Sequence, residues 1–356
     1  MVGRCGPRGG ASPWRPYASR VSLPLNGPGL VPARLPVERV GQPDREAQPE
    51  GYLVLVGEAD RIHFHDWGGP DSDPSAGGAA GTGPGVLLVH GLLSTAWAWA
   101  PIARRLRRDR RVVAVDLRGH GLSDAPTEGY DRATLTDDVV AVAEGSGLLR
   151  MGQDAGGPDD RLVLAGHGFG AIVAAWTAAR LGPRCAGLVL VDGGWEDLEA
   201  ATGMDADELL RGLDEPPEIL RSMATYLADR EAYDPRTWDD DQEAAARAAV
   251  VDLPVGRVEP AVHHHVREAS VRAMFEYRPA EVLAEVVAPV TVLAAADDED
   301  GTRAGALGAT AATLAGRGCR EIRMARWPLV GHNLMRYRPD EVAAAVLAAD
   351  RQEDGS

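Results

Sequence analysis

The stretch most able to do chemistry is Leu164-Ala165-Gly166-His167-Gly168-Phe169-Gly170-Ala171-Ile172. It follows an apolar run, Leu162 to Ala165, that reads as a buried strand, and it precedes Ala171 to Ala179, which reads as a helix. Three glycines between strand and helix make a sharp turn, and two chemistries use such a turn. In a nucleophile elbow, G-x-S-x-G, a strained turn lifts a nucleophilic side chain above a sheet. In the dinucleotide fingerprint, G-x-G-x-x-G/A, the glycines let a pyrophosphate approach the backbone. Gly166, Gly168 and Ala171 match that fingerprint, and Asp192 lies about twenty residues on, where a ribose-binding acid stands. In the elbow register the central residue is Gly168, which has no side chain.

The elements around this turn alternate. Tyr52 to Val56 and Arg61 to Trp67 read as strands, the second with half-buried alternation. Val86 to Val89, Arg111 to Val115, Gly187 to Val191, Val290 to Ala294 and Glu321 to Arg326 read as further strands. Ala98 to Leu106, Leu135 to Glu144, Thr302 to Ala315 and Pro339 to Ala349 read as helices. Such alternation predicts a mostly parallel sheet covered on both faces, with ligands at the carboxyl ends of the strands. His90, Gly168, Asp298 and His332 all fall at or just after such ends. The strand signal vanishes between Trp195 and Tyr277. Helical patches there, Met204 to Leu213, Ile219 to Ala228 and Gln242 to Val250, predict a helical insertion.

Composition narrows the classes. The chain has 356 residues, 45% hydrophobic, enough for one large α/β domain with an insertion or for two domains. A net charge of -16 argues against a phosphate-tracking nucleic-acid binder and against anionic lipid. Cys5, Cys185 and Cys319 are too few and too scattered for a disulfide framework or a zinc site, which points to a reducing cytoplasm. No apolar run reaches the roughly eighteen residues of a membrane span. Pro, Gly and Arg interrupt any signal-peptide core near the N-terminus. Residues 1–50 and 351–356 read as a disordered Pro/Gly/Arg-rich tail and a polar tail. His263, His264 and His265 are adjacent, and consecutive helical positions diverge by about 100°, so they do not share one ion; no metal or other cofactor is expected.

Four motifs in order resemble those of the α/β-hydrolase superfamily, over roughly residues 51–350. Val86-Leu87-Leu88-Val89-His90-Gly91 is similar to the strand and oxyanion loop. Asp116-Leu117-Arg118-Gly119-His120-Gly121-Leu122-Ser123-Asp124 is close to the D-x-R-G-x-G-x-S-D loop. Gly166 to Gly170 resembles the elbow, and Asp298 and His332 stand where the family places its acid and base. The resemblance implies an eight-stranded, mostly parallel sheet with helices on both faces. It implies a core of residues 51–194 and 278–350, with a helical cap over 195–277. It implies His332 as base, Asp298 as acid, Gly168 at the nucleophile position, and the backbone N–H groups of Leu92 and Phe169 as oxyanion hole. Asp192 is a second possible acid, more in keeping with shaping its own turn. Ser94, Trp97, Tyr226 and Tyr233 are candidate pocket-lining residues. His90 and His120, beside glycines in tight loops, read as structural hydrogen-bonders.

The departure from the family is Gly168, where Ser, Asp or Cys is usual; losing a triad nucleophile costs about six orders of magnitude in turnover. The expected function is therefore a hydrolase-family protein acting on or binding a small, largely apolar carbonyl or ester-like compound by a non-standard mechanism. The alternatives are a catalytically dead protein that binds a small molecule or a partner, and, with less support, an NAD(P)-binding oxidoreductase.

Overall fold

The computed structural model describes residues 28–70, 83–152, 156–157, 159–214, 222–254, 256–296, 302–328 and 330–351. In chain order the first elements are β1 (Leu30–Pro32), β2 (Glu50–Val56), β3 (Asp60–Asp66), β4 (Gly85–Val89), α1 (Ala100–Leu106), β5 (Val112–Val115), α2 (Arg132–Gly145), β6 (Leu162–His167), α3 (Phe169–Leu181) and β7 (Cys185–Val191). They build most of a nine-stranded sheet in the order β1-β11-β10-β7-β6-β4-β5-β3-β2. The sheet is completed by β10 (Val290–Ala296) and β11 (Ile322–Pro328). All neighbours run parallel except β2 with β3 and β3 with β5.

The central strands read as unbroken apolar runs because both sheet faces are covered. Along β4, Leu87 and Val89 enter one core, whereas Val86 and Leu88 enter the other, as the two-residue period of a strand requires. Buried residues of α2, α3, α9 (Pro279–Glu285) and α10 (Thr302–Gly316) fill the first core. Those of α1, α11 (Leu334–Tyr337) and α12 (Pro339–Ala348) fill the second.

Two expectations are corrected. The sheet has nine strands, not eight, and the ninth comes from the segment expected to be a disordered tail. Leu30–Pro32 pairs in parallel with Ile322–Met324. Pro32 is tolerated because β1 lies at the sheet edge. Arg104 and Arg107 fasten the following segment, through the carbonyls of Asp44, Arg45 and Ala47 and through the Asp44 carboxylate. Residues 1–27 lie outside the described residues.

The insertion between β7 and β10 is not wholly helical. It holds α4 (Leu198–Thr202), α5 (Ala206–Asp214), α6 (Met223–Tyr233), α7 (Asp240–Ala248) and α8 (His264–Glu276). It also holds an antiparallel pair, β8 (Val250–Leu253) with β9 (Arg257–Pro260). The insertion touches the core at named points. Arg104 of α1 donates to Asp241 of α7 at 3.0 Å. Arg336 of α11 donates to the Thr237 hydroxyl at 2.6 Å and to the Asp234 carbonyl at 2.8 Å. No helix among the described residues is long and apolar enough to cross a membrane.

Candidate active site

The site begins with three glycines that do different work. A Cβ on Gly166 would lie 2.2 Å from the Gly170 carbonyl oxygen, and one on Gly170 would lie 2.2 Å from the His90 carbonyl oxygen. Both positions are closed by backbone. Gly168 differs. It takes φ 53° and ψ −118° between β6 and α3, a backbone that a side chain adopts only under strain. The nearest atoms to its Cβ position are His332 Nε2 at 3.2 Å, His332 Cε1 at 3.6 Å and Gly91 Cα at 3.9 Å. Gly168 thus faces the histidine and the His90–Gly91 loop.

His332 follows β11 and turns its ring back over the elbow. Its Nδ1 lies 2.5 Å from Asp192 Oδ2. An ionised carboxylate only accepts, so Nδ1 carries a proton and donates, and Nε2 is the ring nitrogen left facing Gly168. The Asp192 side chain is 0% exposed and that of His332 is 57% exposed, so the carboxylate is sealed while the ring opens outward. Burial pushes the Asp192 carboxyl up. The His332 hydrogen bond and the Arg303 charge outweigh it and hold the group below the usual carboxylate range.

Asp192 follows β7 directly and holds φ 44°. Its other oxygen, Oδ1, accepts the Ala295 N–H at 2.9 Å and lies 3.3 Å from an Arg303 guanidinium nitrogen. His167, immediately before Gly168, packs its ring 4.4 Å from that of His332 and donates from Nε2 to the His332 carbonyl at 3.1 Å. Burial and then the neighbouring His332 ring lower the His167 pKa to about 3. His167 therefore adds no positive charge under the His332 ring.

The loop opposite the elbow is held by a second acid. Asp116 accepts the Ala96 N–H at 2.6 Å, the Leu122 N–H at 3.1 Å and the His63 ring Nδ1–H at 2.8 Å. His90 accepts the Leu117 N–H on Nε2 at 3.0 Å and donates from Nδ1 to the Gly91 carbonyl at 2.8 Å. The loop then passes through Leu93 at φ 60°. Neither the Leu92 nor the Phe169 backbone N–H finds an acceptor among the described residues.

The acid expected for His332 was Asp298, which lies outside the described residues. The carboxylate found on His332 is that of Asp192, the second possible acid, and its other oxygen accepts from Ala295 of β10 rather than from its own turn. The Asp192 side chain is 0% exposed and turned to His332, Ala295 and Arg303, so it offers no open face to a ribose hydroxyl. Of the expected lining residues, Ser94 is half-buried in the loop that follows Gly91. Trp97 packs edge-on against His65 at 4.7 Å and Trp67 at 6.0 Å. Tyr226 is buried under Arg230. Tyr233, at the end of α6, is 73% exposed and lines no buried pocket. His263 and His265 stack at 5.7 Å, and His265 donates to the Pro126 carbonyl at 3.2 Å. The residues that sequence reasoning missed are Arg303 and Glu196. Both read as surface charges, and nothing local in sequence marks them as burying against Asp192.

The curated 2-(acetamidomethylene)succinate hydrolase of Mesorhizobium japonicum is 33% identical over 112 residues, 32% of this chain and 36% of that protein. The matches to the first curated relatives span about a third of those proteins' length. The crystal structure of an E-2-(acetamidomethylene)succinate hydrolase matches at a TM-score of 0.66 and 19% identity, over 85% of this chain and 99% of that one. A thioesterase domain from the curacin biosynthetic pathway matches at a TM-score of 0.62 and 22% identity, over 84% and 99%. The family described as alpha/beta hydrolase family matches residues 86–345, from β4 through the His332 loop into α12, and the chain belongs to it.

Proposed function

We propose that the protein is a general-base hydrolase of small, largely apolar carbonyl or ester-like compounds, in which water replaces the missing nucleophile. One observation carries this reading. His332 Nε2 faces the bare Gly168 position at 3.2 Å from where a Cβ would stand, while Nδ1 is fixed on Asp192 at 2.5 Å. The pair can work on a molecule that the enzyme does not supply. A water gives its proton to Nε2 as its oxygen attacks the carbonyl carbon. The Leu92 and Phe169 N–H groups receive the negative charge on the carbonyl oxygen. Asp192 stabilises the imidazolium, which returns the proton to the leaving group as the bond to it breaks.

Two further features support the reading. Asp192 and Leu93 hold positive φ without being glycine, and backbone of this kind, costing about 1–3 kcal/mol per residue, gathers at functional sites. The arginine that touches the pair, Arg303, is spent on Glu196 and Asp192, and Arg336, four residues after His332, is spent on Thr237 and Asp234. That suits an uncharged substrate. The insertion then serves as a cap, joined to the His332 loop through Arg336.

Binding without turnover is the second reading. It is favoured by the relaxed fit of glycine at φ 53°, which a protein without need of a nucleophile would gain in stability. A panel of activated esters, lactones and β-dicarbonyl compounds separates the two. The wild type should turn over members of the panel, and His332→Ala should abolish that turnover. Equal inactivity of both proteins would leave binding as the function.

A further inference from the structure

Asp192 is held by an arginine that is itself held rigidly. Arg303, in the first turn of α10, lays its guanidinium 5.4 Å from the Trp195 ring centre. Its Nε reaches Glu196 at 2.9 Å and one terminal nitrogen reaches the other Glu196 oxygen at 2.9 Å, a two-pronged pairing. The same terminal nitrogen lies 3.3 Å from Asp192 Oδ1. Glu196 is 6% exposed, so the fork is anchored largely out of solvent. Trp195 sets the plane of the guanidinium and Glu196 fixes its rotation.

From this geometry we infer that Arg303 is a positioning residue, locking the Asp192 carboxylate in the rotation that presents Oδ2 to His332. The inference rests on the proposed role of the His332–Asp192 pair. A carboxylate has one free rotation about its last bond. The Ala295 N–H fixes Oδ1 from one side. Arg303 fixes it from another, leaving Oδ2 a single direction, toward His332 Nδ1. Glu196 follows shortly after β7 and Arg303 opens α10, so the clamp also ties the entry of the insertion to the acid of the pair. A guanidinium serves this better than an ammonium, because only the planar fork can hold Glu196 with two prongs while still reaching Asp192.

The test reads the hydrogen bond itself. The wild type should show a ring N–H proton resonance well downfield of the amide region, absent from His332→Ala and from Asp192→Asn. Arg303→Met should shift or broaden it and lower kcat on the ester panel by about tenfold or more with KM little changed, as expected for a displaced base. Arg303→Lys should recover only part of both. Because Arg303→Met leaves Glu196 buried and unpaired, the double variant Glu196→Gln/Arg303→Met serves as the folding control. It should fold and still lack the wild-type resonance. An unchanged resonance and unchanged kcat in either methionine variant would overturn the inference. Wild-type turnover in His332→Ala would overturn the proposed function instead, with the resonance still deciding the role of Arg303.

Discussion

Two histidine–aspartate pairs in this molecule have the same chemistry and opposite surroundings. In each, a ring Nδ1 meets a carboxylate Oδ2, at 2.5 Å for His332–Asp192 and 2.8 Å for His63–Asp116. The His63 and Asp116 side chains are 7% and 4% exposed. The far nitrogen of His63 faces backbone, for a Cβ on Gly51 would stand 2.9 Å from its Nε2. Asp116 spends its remaining capacity on the Ala96 and Leu122 N–H groups. The far nitrogen of His332 faces the bare Gly168, and its side chain is 57% exposed. What separates the pair that organises a loop from the pair proposed to move a proton is the surroundings of the second ring nitrogen.

The comparison breaks most readily at His63. His63→Ala leaves Asp116 buried without its ring partner, and removing one member of a buried pair costs about 3–5 kcal/mol. Denaturant unfolding should show that loss; a shift too small to measure would mean that the backbone donors alone hold Asp116.

Acid should attack buried rings of the interior next. Burial, as the largest cause, lowers the pKa of His65 to about 4 and those of His120 and His167 to about 3, from 6.5. The unfolded chain then takes up protons before the folded one does. Stability is full above about 6.5 and falls as pH drops toward those folded values. Denaturant midpoints measured from neutral pH down to about 4.5 should decline steadily. A flat profile would contradict the burial of these rings.

At the elbow, Gly168→Ser adds a side chain at φ 53° and should cost about 1–3 kcal/mol. It should also add a covalent acyl-enzyme route, seen as a burst with activated esters. No burst would mean that the Leu92 and Phe169 donors do not converge on the elbow. The smallest stability effect belongs to His332→Ala. Asp192 keeps Ala295 and Arg303 in that variant, so thermal unfolding should move by no more than about 1 kcal/mol. A loss as large as that of His63→Ala would erase the distinction between the pairs.

Much of this was legible in the sequence, for local reasons. The apolar runs ending at His90, at Asp116, just before Gly166 and at Asp192 announced strands buried on both faces, and the glycine spacing announced the turn. Gly168 itself was legible as a position without a nucleophile. The partner of His332 was not. Asp192 and Asp298 each follow the end of a core strand, and only the carboxylate's direction, set by φ 44°, Ala295 and Arg303, turns Asp192 toward the ring. β1 was illegible because it is three residues long, contains a proline and gains its bonds from β11, nearly the whole chain away. The β8–β9 pair escaped because its four-residue strands carry Asp252 and Glu259 among valines and show no clean alternation. Arg303 and Glu196 escaped because a buried ion pair looks like two surface charges until the fold brings them together.

The central claim is that the His332–Asp192 pair turns over substrate on water, without an enzyme nucleophile. Intact-mass spectrometry of protein quenched during turnover of an activated ester tests it most directly, with wild type and His332→Ala side by side. The wild type should give product, the variant none above background, and the protein mass should stay unmodified throughout. An acyl adduct on the wild type, or equal product from both proteins, would contradict it.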